Sequence, residues 1–207
     1  MTSPRYRYGL FLRPPAKLAS IQAQTHALLR AQFGLVAAGA FPPHVTILGH
    51  VATDASDNDM VAAAAAAVEG FGAVPVHNRG LAPYHGGICH DVGSLASGEP
   101  NPALLELFRA ARKHLDPLRT PLGPAYRGGV KEEDEFYGHM SLAGHDLTRR
   151  PDLFAEVLRF LTDLDIGAPG DYVFDVVSLY RFETRTGWDG PWWETMTWTL
   201  LSSHRLP

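Results

Sequence analysis

The pattern of apolar and polar positions changes its period several times along the chain. Residues 6–12 are mostly apolar and predict a strand, which Pro14 and Pro15 end. Leucine and isoleucine then recur at helical spacing over residues 16–32, up to Gly34. The chain therefore opens with a strand followed by a helix.

The same mixture of elements continues along the rest of the chain. Apolar spacing and alanine content predict helices over residues 60–68, 102–114 and 151–164. The predicted strands cover residues 44–50, two short stretches within 73–95, 139–145, 172–182 and 192–202. The last two strands are predicted to form a hairpin. Antiparallel hairpins among helices indicate an α+β fold.

Residues 117–134 are rich in proline, glycine and charge, and they are too irregular for a helix or a strand. They lead directly into the strand predicted at 139–145. Two interpretations are open. The segment is either a mobile flap, in which Arg127 and Lys131 would close over a phosphate, or a disordered and solvated charged loop.

A short motif occurs twice within the predicted strands. It reads His-Val-Thr-Ile-Leu-Gly-His at residues 44–50 and His-Met-Ser-Leu-Ala-Gly-His at residues 139–145. Because side chains alternate across a strand, His44 shares a face with Thr46, and His139 shares one with Ser141. The alternative is that two core strands begin with histidine by chance. Two similar copies favour a functional pair.

The remaining histidines of interest are predicted to lie outside the site. Six residues of extended strand span about 20 Å, so His50 and His145, the last residues of the two copies, are interpreted as strand-end residues. His85 and His90 fall in the predicted middle hairpin. They are interpreted as residues of the surface or of the core edge.

Paired imidazoles and hydroxyls suit in-line displacement at a phosphodiester without a metal. One histidine takes a proton from water, the other gives one to the leaving oxygen, and the hydroxyls hold the non-bridging oxygens. Free histidine titrates near pH ~6.5, so both roles are available at neutral pH. The sequence has no Gly-x-Ser-x-Gly elbow, no His-Glu-x-x-His and no paired cysteines. Neither a metal nor a cofactor is therefore predicted.

Composition limits the partners and the size of the fold. A formal charge of -4 gives no general attraction to nucleic acid, so a small or terminal phosphate is expected rather than a long nucleic-acid tract. The 207 residues suit a single domain, 1–207, of two packed lobes. The single cysteine excludes an internal disulfide, and no apolar run resembles a signal peptide or a membrane span. We expect a cytoplasmic monomer without membrane association.

The two motifs resemble the paired His-x-Thr/Ser-x signatures of the two-histidine phosphoesterase superfamily. This superfamily includes RNA 2′,3′-cyclic phosphodiesterases, so-called 2′-5′ RNA ligases and small cyclic phosphodiesterases that act on ADP-ribose cyclic phosphate. The order of elements is similar over nearly the whole chain, most of all to the short cyclic phosphodiesterases. Ser141 stands where many members have threonine, and the cysteine pair that clips a loop in some small members is missing.

The resemblance implies a bilobal α+β fold, with two antiparallel sheets in a pseudo-twofold arrangement around a central cleft and helices on the outer faces. His44 and His139 would be the catalytic base and acid, in an order that the sequence leaves open. Thr46 and Ser141 would bind the phosphate. The substrate would be a nucleoside 2′,3′-cyclic phosphate, a cyclic-phosphate RNA end or ADP-ribose cyclic phosphate.

Aromatic side chains near the motifs are candidates for binding a nucleobase, because a base stacks on any aromatic ring. Tyr137 directly precedes the second motif, and Phe11 lies on the opening strand. With Arg127 they form the predicted substrate-binding set, although both rings are also consistent with core positions. The tryptophans at 188–193 are predicted to pack within the closing hairpin.

Two other functions are open at this point. The chain is either a non-catalytic module that binds a nucleotide or an RNA end, or an enzyme that cleaves 2′-5′ or cyclic oligonucleotides or a specialised biosynthetic phosphoester. The presence of both histidines and both hydroxyls favours an enzyme, because a binding module does not need a paired acid and base. Substrate specificity lies in the walls of the cleft, so the motifs do not separate these substrates.

Overall fold

The computed structural model describes residues 5–120, 136–166 and 169–207. In these ranges the strands are β1 (Tyr6–Arg13), β2 (Val45–Ala52), β3 (Val74–Asn78), β4 (Leu81–Tyr84), β5 (Gly87–Asp91), β6 (His139–Ala143), β7 (Gly170–Phe174), β8 (Val176–Glu183) and β9 (Thr197–Arg205). The α-helices are α1 (Ala16–Phe33), α2 (Asp57–Val68), α3 (Pro102–Leu115), α4 (His145–Thr148) and α5 (Phe154–Asp163). The four predicted helices are confirmed, with small differences at their ends.

The described strands form three antiparallel sheets. The largest has the strand order β2-β1-β8-β9, a second has the order β4-β5-β6, and β3 pairs with β7. The predicted α+β fold with antiparallel sheets is confirmed, although three sheets stand where two were expected. The strands that carry the two histidine motifs, β2 and β6, are each at the edge of a sheet.

The stretch 172–182, predicted as one strand, is divided at Asp175. The part before this residue is β7, which pairs with β3, and the part after it is β8, which joins the largest sheet. The carbonyl oxygen of Asp175 accepts the N–H of Leu206 at 2.7 Å, and its carboxylate pairs with Arg205 at 2.7 Å. These two bonds hold Asp175 at the point where the chain leaves one sheet and enters the next.

Two further stretches differ from the prediction. Residues 73–95 hold three strands instead of two, because β3 leaves the β4–β5 hairpin to pair with β7. Trp192–Glu194 is a 3-10 turn, and β9 begins only at Thr197. The tryptophans of this turn pack into an aromatic cluster and do not alternate along a strand.

The largest sheet has two unlike faces. On one face Leu10, Leu12 and Leu179 belong to the main apolar core, together with residues of α2 and α3. On the other face Phe11 of β1 shares its side with Thr46, its partner on β2. This second face carries an aromatic cluster, which consists of Phe11, Ala37, Tyr180, Phe182, Trp188, Trp192, Trp193 and Met196.

Local signals in the sequence fix the helix ends. The Ser56 hydroxyl accepts the N–H of Asp59 at 3.2 Å, and the Asp59 carboxylate accepts the N–H of Ser56 at 3.1 Å, which starts α2 with a capping box. Gly34 ends α1 in the left-handed region at a φ of 69°. Among the helices described, none combines the length and the apolar content needed to cross a bilayer.

Of the two histidines predicted at the surface or core edge, His85 lies in the exposed β4–β5 turn, whereas His90 is fully buried. The Asn78 amide donates to Nδ1 of His90 at 3.4 Å, because its own oxygen accepts the N–H of Gly80 at 3.0 Å. Among the described residues, Nε2 of His90 has no hydrogen-bond partner. Burial lowers the pKa of His90 to about 4, so the ring is neutral near pH 7.

We expect His90→Asn to weaken the acid dependence of stability, since asparagine keeps an acceptor for Asn78 but does not titrate. The folded pKa is about 4, whereas the unfolded pKa is near 6.5. The unfolded chain therefore takes up the proton first, and the free energy of unfolding falls as the pH drops below about 6.5, by roughly 3 kcal/mol in all. Urea unfolding at about pH 7 and about pH 4.5 measures the difference. An unchanged pH dependence in the variant would contradict a neutral, buried His90.

Candidate functional site

The two histidine motifs meet where the edge strands β2 and β6 approach each other. Cα atoms of the two strands come within 8 Å, although the strands belong to different sheets. The pKa of His44 is lowered chiefly by burial, and the charge of a protonated His139 adds to this lowering. Two motifs that are distant in the sequence therefore share one site.

The rings of His44 and His139 are held in the same way. Nδ1 of His44 lies 2.7 Å from the carbonyl oxygen of Pro42, and Nδ1 of His139 lies 2.8 Å from that of Tyr137. A carbonyl oxygen only accepts hydrogen bonds, so Nδ1 of each ring carries a hydrogen and donates it. Proton exchange with a ligand is thereby left to Nε2 in both rings.

Thr46 and Phe11 complete the surroundings of His44. The Thr46 hydroxyl lies 3.1 Å from Nε2 of His44 and donates to it while the ring is neutral. The Phe11 ring is stacked on the imidazole, with 3.9 Å between centroids and 14° between planes. Burial lowers the pKa of His44 to about 4, against the opposing effect of the bond to Pro42. The imidazole of His44 is therefore neutral near pH 7.

Phe11, predicted as a base-stacking surface, has a different geometry from the one expected. Its ring is 2% exposed and belongs to the aromatic cluster. His44 covers one face, and the rings of Tyr180 and Phe182 lie 5.6 Å away. Phe11 therefore supports the imidazole and has no exposed face for a ligand, because the closing segment with its tryptophans packs over this side of the sheet.

Strand β2 is bent. Compared with β1 it holds two extra residues, which form bulges at Ile47 and at residues 49–50. His50 adopts a left-handed φ of 53° there. As a result, His44 and His50 both contact the ring of Phe41, at 5.5 and 6.0 Å between centroids. The predicted separation of about 20 Å applies to a straight strand and is wrong for β2.

His145 does not end a strand, because it is the first residue of α4. Its ring lies 5.0 Å from Trp192 and 5.7 Å from Trp193. Trp192 also contacts His50 at 5.7 Å. The last histidines of the two motifs thus meet on one indole ring, and the predicted packing role of the tryptophans is confirmed.

The surroundings of the second motif are more polar. In the antiparallel register Asp91 is opposite His139, and Cys89 is opposite Ser141, so these four side chains share one face. The Tyr137 hydroxyl donates to Asp91, and its pKa is raised chiefly by burial. Burial also raises the pKa of the Cys89 thiol to about 12, which keeps it protonated.

Tyr84, at the end of β4, is a candidate ligand contact that the sequence analysis missed. Its ring centroid lies 4.2 Å from that of His139 and 4.9 Å from that of Tyr137, and the residue is half-buried. Tyr84 and Tyr137 form an aromatic wall beside the second histidine. In the sequence, the signal for Tyr84 was an aromatic residue two positions before Gly86. In the structure Gly86 forms a tight turn with a φ of 77°.

Two polar residues of α1 were also missed. The Gln22 amide donates to the carbonyl oxygen of Ser141 at 2.9 Å, and Nε2 of His26 donates to the same oxygen at 2.9 Å. In the sequence, the signal for Gln22 was a polar residue on the apolar face of the predicted helix. The buried side chains of α1 are Leu18, Gln22, Thr25 and Leu29.

Arg127 and Lys131, predicted to contact phosphate from a flap, lie outside the described residues. Within the described ranges, no group of three or more His, Cys, Asp or Glu side chains is arranged to hold a metal ion. The candidate site is therefore built from the two motifs, the aromatic wall, Phe11 and the inner side of α1.

The sequence matches the 2′-5′ RNA ligase superfamily over residues 14–180, which confirms the predicted resemblance. No curated protein sequence is significantly similar. A crystal structure of a phosphoesterase has a TM-score of 0.59 at 13% identity, with 97% of this chain and 98% of that chain covered.

Two further structures have the same fold. E. coli LigT in complex with NADP+ has a TM-score of 0.54 at 14% identity, with 99% of each chain covered. TT0787 of Thermus thermophilus has a TM-score of 0.53 at 14% identity, with 97% of each chain covered. At these identities the likeness concerns the fold alone.

We expect nitrogen NMR of the His44 ring to show a neutral imidazole with its hydrogen on Nδ1 from about pH 8 down to about pH 5. Because burial lowers the pKa, the titration midpoint should lie near the value of about 4. The His44→Ala variant assigns the signal by its loss. A midpoint above about pH 6, close to that of free histidine, or a hydrogen on Nε2, would contradict this geometry.

Proposed function

Because the chain belongs to the 2′-5′ RNA ligase superfamily of two-histidine phosphoesterases, we propose that it hydrolyses a cyclic phosphodiester by metal-independent acid–base catalysis. The substrate is a nucleoside 2′,3′-cyclic phosphate, a cyclic-phosphate RNA end or ADP-ribose cyclic phosphate. The observation that carries the proposal is the matched pair of rings, His44 and His139, each bound to the backbone through Nδ1. In this arrangement Nε2 is the atom of each ring that takes up or releases a proton.

In the proposed reaction His44 is the base and His139 is the acid. His44 takes the base role because its lowered pKa keeps Nε2 unprotonated at neutral pH. It accepts a proton from water while the water oxygen forms its bond to phosphorus. Protonated His139 gives its Nε2 hydrogen to the leaving ribose oxygen as the P–O bond breaks. The product is a phosphate monoester, and both rings then exchange protons with solvent.

Thr46 and Ser141 are proposed to hold the non-bridging phosphate oxygens. Each hydroxyl lies two residues after its histidine, on the same face of the strand. The Thr46 hydroxyl, 3.1 Å from Nε2 of His44, is within reach of any group on which that nitrogen acts. When the Thr46 hydroxyl rotates towards the ligand, its O–H donates to a non-bridging phosphate oxygen, and the negative charge of that oxygen grows in the transition state.

Three observations support a ligand of nucleotide size. Structures of E. coli LigT hold NADP+, ATP, 3′-AMP or phosphate. The aromatic wall of Tyr84 and Tyr137 offers this chain a stacking surface for a base beside His139. The formal charge of -4 disfavours a long polyanion.

We expect His44→Ala and His139→Ala each to lower kcat by about 10²- to 10⁴-fold, because each removes one proton-transfer group. Thr46→Val and Ser141→Ala should lower it by roughly 10²- to 10³-fold through the loss of one donor to the phosphate. The assay is turnover of a panel of nucleoside 2′,3′-cyclic phosphates and ADP-ribose 1″,2″-cyclic phosphate in EDTA. Phosphorus NMR of the product identifies the leaving oxygen.

His77→Ala serves as a matched control, because this histidine of β3 pairs with Asp171 and lies in neither motif. Its activity should equal that of the wild type. Loss of turnover in EDTA would contradict the metal-independent mechanism. Tight binding of the cyclic nucleotides without any turnover would support a binding module instead.

We expect Tyr84→Leu to raise KM by roughly 5- to 150-fold with little change in kcat, because a stacked base contributes ~1 to 3 kcal/mol. Tyr84→Phe keeps the ring and should resemble the wild type. The measurement is steady-state kinetics on the best substrate of the panel. Equal KM values for the two variants would argue against stacking at the aromatic wall.

A further inference from the structure

One side chain of α1, that of His26, contacts the chain near both histidine motifs. Its Nε2 lies 2.9 Å from the carbonyl oxygen of Ser141 in the second motif. Its Cβ is so close to Gly39 that a Cβ added there would lie 3.1 Å away. Gly39 belongs to the turn Ala38–Ala40, in the loop that leads to His44. His26 is also close enough to His44 to lower its pKa.

The bond to Ser141 matters because β6 is an edge strand. No strand of the described sheet lies beyond β6, and side chains of α1 bind its backbone there. Gln22, which is 1% exposed, donates to the same oxygen at 2.9 Å. Two donors on one carbonyl oxygen fix the strand that carries Ser141 and His139 against α1.

The loop before the first motif is joined to the second motif in another way as well. The carboxylate of Asp146, which follows the second motif, accepts the N–H groups of Val36 and Ala37 at 2.5 and 2.7 Å. These bonds hold the loop at Val36 and Ala37, and His26 packs against the same loop at Gly39. His26 therefore lies between two segments that are each anchored elsewhere.

We propose that His26 is a positioning residue of the phosphoesterase reaction, whose side chain sets the separation between His44 and His139 by packing against Gly39 and bonding to Ser141. The proposal rests on the proposed function. His26 itself touches no reacting atom. Because a misplacement of about 1 Å costs up to roughly 100-fold in rate, removing this spacer affects kcat more than KM.

The test uses a matched pair of substitutions in the full chain. In His26→Gln the side-chain amide nitrogen replaces Nε2 and can donate to Ser141, whereas in His26→Asn the amide reaches only the place of Nδ1. His26→Ala removes the ring and its bond to Ser141 but keeps the Cβ that packs against Gly39. Gln22 still holds Ser141 in all three variants, so we expect them to fold, which thermal unfolding checks. His77→Ala is the control for loss of a histidine elsewhere.

We expect kcat to fall about 10- to 100-fold in His26→Ala and His26→Asn, with KM within about twofold of the wild type. His26→Gln should retain kcat within about threefold. Equal kcat values for the Gln and Asn variants would overturn the proposal. So would a His26→Gln variant that is inactive and has lost one limb of the pH profile, because His26 would then transfer protons itself.

Ring-nitrogen NMR of His44 and His139 gives a readout that needs no turnover. The Ala and Asn variants should shift the signals of both rings, and the Gln variant should shift them much less. Such shifts in a protein that hydrolyses no cyclic phosphodiester would count against the proposed function and support the role of His26 as a spacer. Hydrolysis by the wild type, without shifts or loss of kcat in the variants, would overturn the spacer and leave the function standing.

Discussion

Both histidine motifs lie on edge strands, and the rest of the site follows from this constraint. An edge strand has backbone groups on one side that no neighbouring strand can bind. On β6 the side chains of Gln22 and His26 take the place of that strand. In the described part of the chain β2 and β6 approach each other without a hydrogen-bonded ladder between their sheets. The relative positions of His44 and His139 depend on a few polar bonds and on close packing.

The two sides of this junction surround their imidazoles differently. His44 lies on the Phe11 ring above an aromatic cluster, which removes water and keeps the ring neutral. His139 lies opposite Asp91 and beside a tyrosine hydroxyl that donates to that carboxylate. One imidazole thus has an apolar setting and the other a more polar one, and the proposed division into base and acid rests on this difference.

The sequence predicted those features that depend on neighbouring residues. The histidine and hydroxyl pairs follow from the two-residue period of a strand, and the end of α1 follows from Gly34. The division at Asp175 was not predictable, because it depends on β3, a partner distant in sequence. The bulges of β2 depend on its register with β1. Tyr84 and His26 were missed because only the tertiary fold decides what lies opposite a turn or a helix face.

The strand order of the largest sheet has a consequence for the synthesis of the protein. β1 lies between β2 and β8, and β8 begins only at Val176. A nascent chain can pair β1 with β2 early, but the other edge of β1 stays open until most of the chain has left the ribosome. At roughly 5 to 20 residues per second this interval lasts about ten seconds. During that time one edge of an apolar strand stays unpaired, and an open strand edge of this kind favours aggregation while the chain is being made.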